Sequence, residues 1–361
     1  MIIQELESGL QGLKGPVAVD TEFHAEHRYI PKLLLVQLRG ADGQTRIVDP
    51  KLTPDLALLG QRLSGMPLLV HAATHDLRIL AHACGLQPGP VLDPQVLAGF
   101  AGLGFPRSLG DLCREVLGVE VYGGLGLTDW NRRPLSPEQL AYAADDVQHL
   151  QALVDALQAK VSRMDLATEA IREKVTEALK PVTPELAWRR FAAAPVLDGR
   201  SRIALRRLAA WREREARKAN QPVWQIASDA VLVDLSRRRP TSTAEMARNR
   251  RFSKRLLKRS ELLELVADDT PFEDDFPIDQ RERARLTALD AALAAWAAAQ
   301  EVRGPIAARL LLPQPLRLEL ALALLRGRPT PIRGWRAAII PALSQLVIEL
   351  QVHDIAGDIA K

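Results

Sequence analysis

Strand-length apolar runs crowd the first fifty residues, at Val17–Glu22, Leu33–Leu38 and Thr45–Asp49, with turn-rich segments between them. That spacing predicts an antiparallel three-strand meander. Two further runs, Leu68–His71 and Val91–Asp93, alternate with helical patterns, so strands come first and α/β alternation follows. A helix start is written at Ser136, which can cap, with Pro137 suited to the first helical position and Gln139 completing a capping box. After long helical stretches around Leu150 and Ile171, Pro181, Pro184 and Pro195 with Gly199 mark a boundary. From about Asp198 the pattern is helical. Ala204, Leu208 and Trp211 recur at i, i+4, i+7 among Arg206, Arg207, Arg212 and Arg214, which gives one apolar face and a largely basic remainder. A last helical run extends from Arg281 to about Val352, and its Ala- and Leu-rich faces argue for packing.

Within this frame, acids follow strongly apolar runs. Asp20 and Glu22 end the run Val17, Ala18, Val19, and their i, i+2 spacing on a strand turns both side chains to one face. Two carboxylates so close in a partly buried place raise each other's pKa, and desolvation raises both further, unless a cation shares them. Asp76 follows Leu68, Leu69 and Val70 and is expected in the first turn of a helix ending near Cys84 and Gly85. Tyr142 and Asp146 are i, i+4 on the helix that Ser136 starts, stacked on one side. Asp145, about 100° around that helix, reads as a solvated neighbour.

DTEF, the HAxxxDLxxL form around Asp76, TDWNRRPL and YxxxDV together resemble the ribonuclease D branch of the DEDD 3′-to-5′ exonucleases, of the subtype with tyrosine in the third motif. The likeness runs from about Val17 to Leu153, in the family's order. It implies a ribonuclease H-like α/β exonuclease domain, a mixed sheet with helices. It also implies that Asp20, Glu22, Asp76 and Asp146 hold two divalent cations, Mg2+ or Mn2+, and that Tyr142 positions the attacking water. The chemistry is consistent: two ions about 3.5–4 Å apart can stabilise both the attacking and the leaving oxygen of an in-line displacement, and oxygen ligands favour magnesium or manganese over zinc. With an ordinary pKa of about 10, a tyrosine serves as a hydrogen-bonding positioner and not as a base. The segment LRRLAAWREREARKANQPVW through RPTSTAEM resembles a helicase-and-ribonuclease-D C-terminal (HRDC) module, and residues 281–361 resemble a second, more divergent one. The expected fold is therefore an α/β exonuclease domain over 1–180, a linker over 181–197, an all-α HRDC bundle over 198–280 with an acidic linker at its end, and a further helical domain over 281–361.

Other side chains lend less to the chemistry. His24, His27, His71 and His75 lie near the acids in sequence, but His71 and His75 straddle a strand-to-helix junction, so their i, i+4 spacing does not imply a shared face. Trp130 reads as a packing residue, while Arg132 and Arg133 suit either a phosphate contact or a solvated loop. Cys84 and Cys113 are too few and too helical in setting for a disulfide framework or zinc site.

Composition and charge sharpen the division of labour. The chain has 361 residues, 47% of them hydrophobic, enough for two or three domains with buried cores. It opens with no basic region followed by an apolar run, and no apolar stretch approaches the ~18 residues that span a bilayer, so a soluble cytoplasmic protein without a membrane partner is expected. Residues 1–160 carry 13 Lys and Arg against 18 Asp and Glu; residues 161–361 carry 35 against 26. Between Arg200 and Arg259 there are 18 basic residues and 5 acidic ones, which suits a polyanion. Arg206, Arg207, Arg212, Arg214 and Lys218 are the expected nucleic-acid contacts. From Glu261 to Asp279 eight acids appear with no Lys or Arg, a segment that either tethers or competes for the basic module.

The function expected is metal-dependent 3′-to-5′ exoribonuclease action, releasing nucleoside 5′-monophosphates from RNA, with structured RNAs such as transfer-RNA precursors as implied partners of a monomeric enzyme. Two alternatives remain at this stage: a 3′-to-5′ DNA exonuclease, and a non-catalytic RNA-binding protein that uses the basic module.

Overall fold

The computed structural model describes residues 1–121, 123–126, 128–191, 194, 197–248, 252–272 and 279–350. At its centre is a six-stranded sheet: β1 (Ile2–Ile3), β2 (Val17–His24), β3 (Lys32–Arg39), β4 (Thr45–Val48), β5 (Leu68–Leu69) and β6 (Val91–Leu92), in the order β1-β4-β3-β2-β5-β6. β2, β3 and β4 form the expected antiparallel meander, and β1, β5 and β6 join in parallel, so the sheet is mixed. β5 leads into α1 (Thr74–Cys84), which ends on left-handed Gly85, and β6 leads into α2 (Pro94–Phe100), capped by Asp93. α3 (Pro137–Gln148) carries the predicted capping box of Ser136 and Gln139. α4 (Leu150–Gln158) and α5 (Met164–Leu179) complete the first half.

β2 and β3 are buried on both faces, which is why they read as near-continuous apolar runs. α3 lies across β2, β3 and β4, closing Leu34, Leu35, Ile47, Trp130, Leu135 and Ala143 into one small core. The alternate residues Val17, Val19, Val36 and Leu38 belong to the main core, shared with α1, α2, α4 and α5.

A second core is built around α6 (Gly199–Ala219), a 21-residue helix that Asp198 caps and left-handed Asn220 ends. Short α7 (Val223–Ile226) follows. Two expectations change here. The linker 181–197 contains a 3-10 turn, Pro184–Arg190, and contributes Ala187, Phe191, Ala194 and Leu197 to this core, because its apolar residues recur closely enough to bury a face. The acidic segment likewise begins as a helix, α8 (Glu261–Ala267), whose Leu262 and Val266 are buried on the bundle. Its residues 273–278, Pro195 of the boundary prolines and the terminal 351–361 lie outside the described residues.

The last helices, including α9 (Gln280–Arg303) and α10 (Gln314–Arg326), pack on each other, and their buried side chains run on into the core of the sheet. Leu286, Leu289, Leu293, Leu320 and Trp335 belong to the same cluster as the sheet. Ala307 N donates to Gly99 O at 2.8 Å, and the Phe100 and Trp335 rings meet at 5.1 Å between centroids. Arg336, 8% exposed, grips both oxygens of Glu173 on α5 at 2.6 and 2.7 Å. Residues 281–350, which the sequence led us to expect as a helical domain, thus meet the first body through Ala307, Trp335 and Arg336. Among the described residues no helix is long and apolar enough to cross a membrane.

Candidate active site

Alternation along β2 sorts the DTE motif. Asp20 pairs with Gln37 and Glu22 with Leu35 across the ladder, so both acids lie on the face that α3 covers, whereas Thr21 faces the side of α1. Asp146 descends from α3 onto the two acids. Carboxylate oxygens of Asp20, Glu22 and Asp146 all lie within 4.8 Å of one another, and no other cluster of metal-binding type occurs among the described residues. Asp76, in the first turn of α1, approaches from the other side and accepts a 2.5 Å hydrogen bond from the Thr21 hydroxyl. It stands outside the trio, yet its charge acts on Asp20, Glu22 and Asp146.

The electrostatics are those of crowded, buried acids whose mutual repulsion a shared cation would relieve. Burial, then the charges of Asp76, Asp146 and Glu22, hold Asp20 well above the usual carboxylate range. Burial and the charges of Asp146 and Asp76 push Glu22 up to about 8. Asp146 is pushed up to about 7, by burial and then by Asp145 and Asp76. For Asp76 burial raises the carboxyl to about 6 against the opposing hydrogen bond from Thr21. Asp145 is therefore no bystander: it is half-buried and bears on Asp146. The donor set is all oxygen, anionic only at a cost, and convergent, which fits hard divalent cations. Tyr142, one turn before Asp146, packs on Trp130 at 5.9 Å between ring centroids; burial and the charges of Asp146, Glu22 and Asp20 raise its phenol, so it stays protonated.

Two supports went unread in the sequence. Asp93 is 3% exposed and accepts from the backbone N–H groups of Ala72, Ala73 and Gln95, fixing the turn into α1 and hence Asp76. Its position ending an apolar run just before Pro94 was the available signal. Arg133 donates to both oxygens of buried Asp49 and to the carbonyls of Trp130 and Leu34, which bolts the TDWNRRPL segment to the sheet ahead of α3. That work removes Arg133 from the phosphate-contact alternatives, while Arg132 is exposed. Trp130, 1% exposed, is a packing residue as expected. Of the histidines, His71 bonds the Arg107 carbonyl and His75 stacks on Phe23.

The basic residues of α6 divide. Arg212 is fully buried, bonded to Ala227 O and Asp229, and Arg206 is 7% exposed between the rings of Trp188 and Phe272. Arg207 pairs with Asp268 at 2.8 Å. These three hold the bundle together and are not presented to a ligand, because α6 is wrapped on nearly all sides. Arg214, paired with Glu185, and Lys218 are exposed.

Residues 2–162 match a family model described as 3′-5′ exonuclease, and residues 203–265 match the HRDC domain model. Ribonuclease D of Gluconacetobacter diazotrophicus is 35% identical over 246 residues, 66% of this chain. The chain spans 62% of that relative's length. Ribonuclease D of Pseudomonas paraeruginosa is 30% identical over 259 residues, 70% of this chain and 68% of the relative. The crystal structure of Escherichia coli RNase D, described as an exoribonuclease involved in structured RNA processing, superposes with a TM-score of 0.78 at 26% identity, covering 97% of this chain and 98% of that one.

Proposed function

Because this chain belongs to the ribonuclease D family, we propose that it is a metal-dependent 3′-to-5′ exoribonuclease that releases nucleoside 5′-monophosphates from RNA. The observation that carries the reading is the convergence of Asp20, Glu22 and Asp146 within 4.8 Å, with Asp76 bound to Thr21 beside them. Asp20, Glu22, Asp76 and Asp146 would hold two Mg2+ or Mn2+ ions. When bound, such a pair supplies Lewis acidity at the attacking and leaving oxygens and lowers the pKa of water.

The chain's own residues do the rest. The four carboxylates fix where the scissile phosphate can sit, since only a phosphate shared with cations is tolerated among so many anions. Tyr142 keeps its proton and orients the incoming water by hydrogen bonding. Thr21 holds Asp76 in register with β2. The basic bundle around α6, through its exposed cations, draws in the body of the RNA, a role the acidic first half cannot fill for a polyanion. Structured RNA 3′ ends, transfer-RNA precursors included, are the substrates proposed.

The test is direct: matched RNA and DNA oligonucleotides, with 3′-hydroxyl or blocked ends, are incubated with Mg2+, Mn2+ or chelator and the products identified. Release of 5′-monophosphates from unblocked RNA only with metal supports the reading. Faster degradation of DNA favours the deoxyribonuclease alternative, and intact RNA with retained binding favours the non-catalytic one.

A further inference from the structure

The hairpin loop between β2 and β3 starts three residues after Glu22 and is fastened to the helical bundle. Tyr29 donates to Glu213 at 2.5 Å, Ile30 N donates to Asn220 Oδ1 at 3.1 Å, and Gln225 meets the His27 ring at 3.3 Å. The corner between α6 and α7 is thereby held beside the catalytic strand. Between them lies a cavity of about 480 Å³. Phe23 and His75, chain neighbours of Glu22 and Asp76, line it together with Arg28, Pro222 and Val223.

Trp224, next in the chain after Val223, is 60% exposed. The other five tryptophans are buried or half-buried, so packing accounts for them and not for this one. Cations lie close by in the fold: Arg28 lines the same cavity as Val223, and Lys218 lies in the last turn of the helix that leads into the corner. Arg28 and Lys218 are exposed and make no side-chain ion pair among the described residues, and Arg255 is held to Gln221 of the same corner at 3.1 Å. At the other end of α6 the cations are occupied: Arg200 and Arg239 meet Asp269, and Arg207 meets Asp268. An exposed aromatic flanked by free cations is the arrangement that single-stranded nucleic acid uses, stacking a base and neutralising its phosphates.

We propose that the RNA strand upstream of the cleaved nucleotide crosses this cavity and stacks a base on Trp224, with Arg28 and Lys218 at adjacent phosphates. The proposal rests on the exonuclease reading for the identity of the strand, and it makes the α6–α7 corner the gripping face of the bundle. Stacking orders the strand between the corner and the acids, so the indole acts by positioning.

The test uses the full chain carrying Asp20→Asn, without divalent metal, and a single-stranded RNA of about ten nucleotides. Binding should quench tryptophan emission, and the quench should disappear in Trp224→Phe. Trp224→Ala should weaken binding by about 5- to 150-fold, the range expected for one lost base–aromatic stack, while Trp224→Phe recovers most of it. Combined Arg28→Ala and Lys218→Ala should flatten the salt dependence of binding. A quench that persists in Trp224→Phe, or parental affinity in Trp224→Ala, overturns the proposal. Hydrolysis by the chain with native Asp20 is followed in parallel with Mg2+. Binding through Trp224 without any hydrolysis would sustain this inference and sink the exonuclease reading, and hydrolysis with unchanged binding in Trp224→Ala would do the reverse.

Discussion

The Thr21 hydroxyl and the Asp76 carboxylate, on elements 55 residues apart in sequence, share a 2.5 Å hydrogen bond. It ties the first acidic motif to the second through the residue between Asp20 and Glu22. Thr21→Val keeps the β-branched shape and removes the donor, so Asp76 loses its restraint and binds its proton more tightly. The apparent Mg2+ affinity should fall roughly tenfold, as it does when outer partners of metal ligands are removed. Thr21→Ser should stay near the parent in a metal titration of activity; equal metal requirement in Thr21→Val would dissociate the bond from the site.

Asp20→Asn and Asp146→Asn should each lower turnover by roughly a thousandfold or more, because groups acting as one unit fail together. RNA affinity should be largely retained. Product release and filter binding on the same preparations separate the two quantities, and parental turnover in both variants would contradict the assignment.

The four acids also make stability depend on pH. Each holds its proton more tightly folded than unfolded, because burial and like charges disfavour the anion. Without divalent metal, the folded chain therefore binds more protons than the unfolded chain from about pH 4 to about pH 8. Stability falls as pH rises through that window, as Asp76 near 6, Asp146 near 7 and Glu22 near 8 ionise in the folded chain. Metal-free melting temperature should decline across this range, recover with Mg2+, and decline less in Asp20→Asn. A metal-free melting temperature that climbs over the same range would be incompatible with the buried-acid electrostatics.

Arg133 and Asp49 form the anchor ahead of α3. Burial pushes the Asp49 carboxyl up, but the Arg133 guanidinium, the Lys51 backbone N–H and nearby positive charge leave it below the usual range. Arg133→Met strands a carboxylate that is 2% exposed and should cost about 3 kcal/mol in denaturant unfolding. Adding Asp49→Leu should return part of that loss. A single variant as stable as the parent would show that the segment is held elsewhere.

A chain ending before α9 should lose stability, because it uncovers the Phe100 ring and the Gly99 carbonyl that Trp335 and Ala307 meet. Arg336→Met in the full chain, which leaves the Leu310 and Leu311 carbonyls without their donor, is the milder probe, with an expected loss of about 1–2 kcal/mol. A truncated chain as stable as the parent would overturn the shared core.

What the sequence disclosed was local. The capping box at Ser136, the i, i+4 pair of Tyr142 and Asp146, and the i, i+2 acids of β2 each follow from a periodicity that neighbouring residues enforce. What it withheld was tertiary. The apolar faces of α9 and α10 announce burial without saying against what, and the prolines before Asp198 suggested a linker where a 3-10 turn docks. Arg212 is instructive: it lies four residues after Leu208, inside the apolar stripe of α6, so its burial was written in the spacing, while Arg206 is buried only because Trp188 and Phe272 arrive from distant segments.

The contacts of Gly99 with Ala307 and of Phe100 with Trp335 span most of the polypeptide. Such non-local closure slows folding, since loop entropy is lost before the contacts form. During synthesis the sheet emerges first and must wait, with greasy surface uncovered, until its final helices have left the ribosome. Completion of this core therefore waits on Ala307 and Trp335, and the window of vulnerability to aggregation lasts at least as long as the stretch between Phe100 and Trp335 takes to be made.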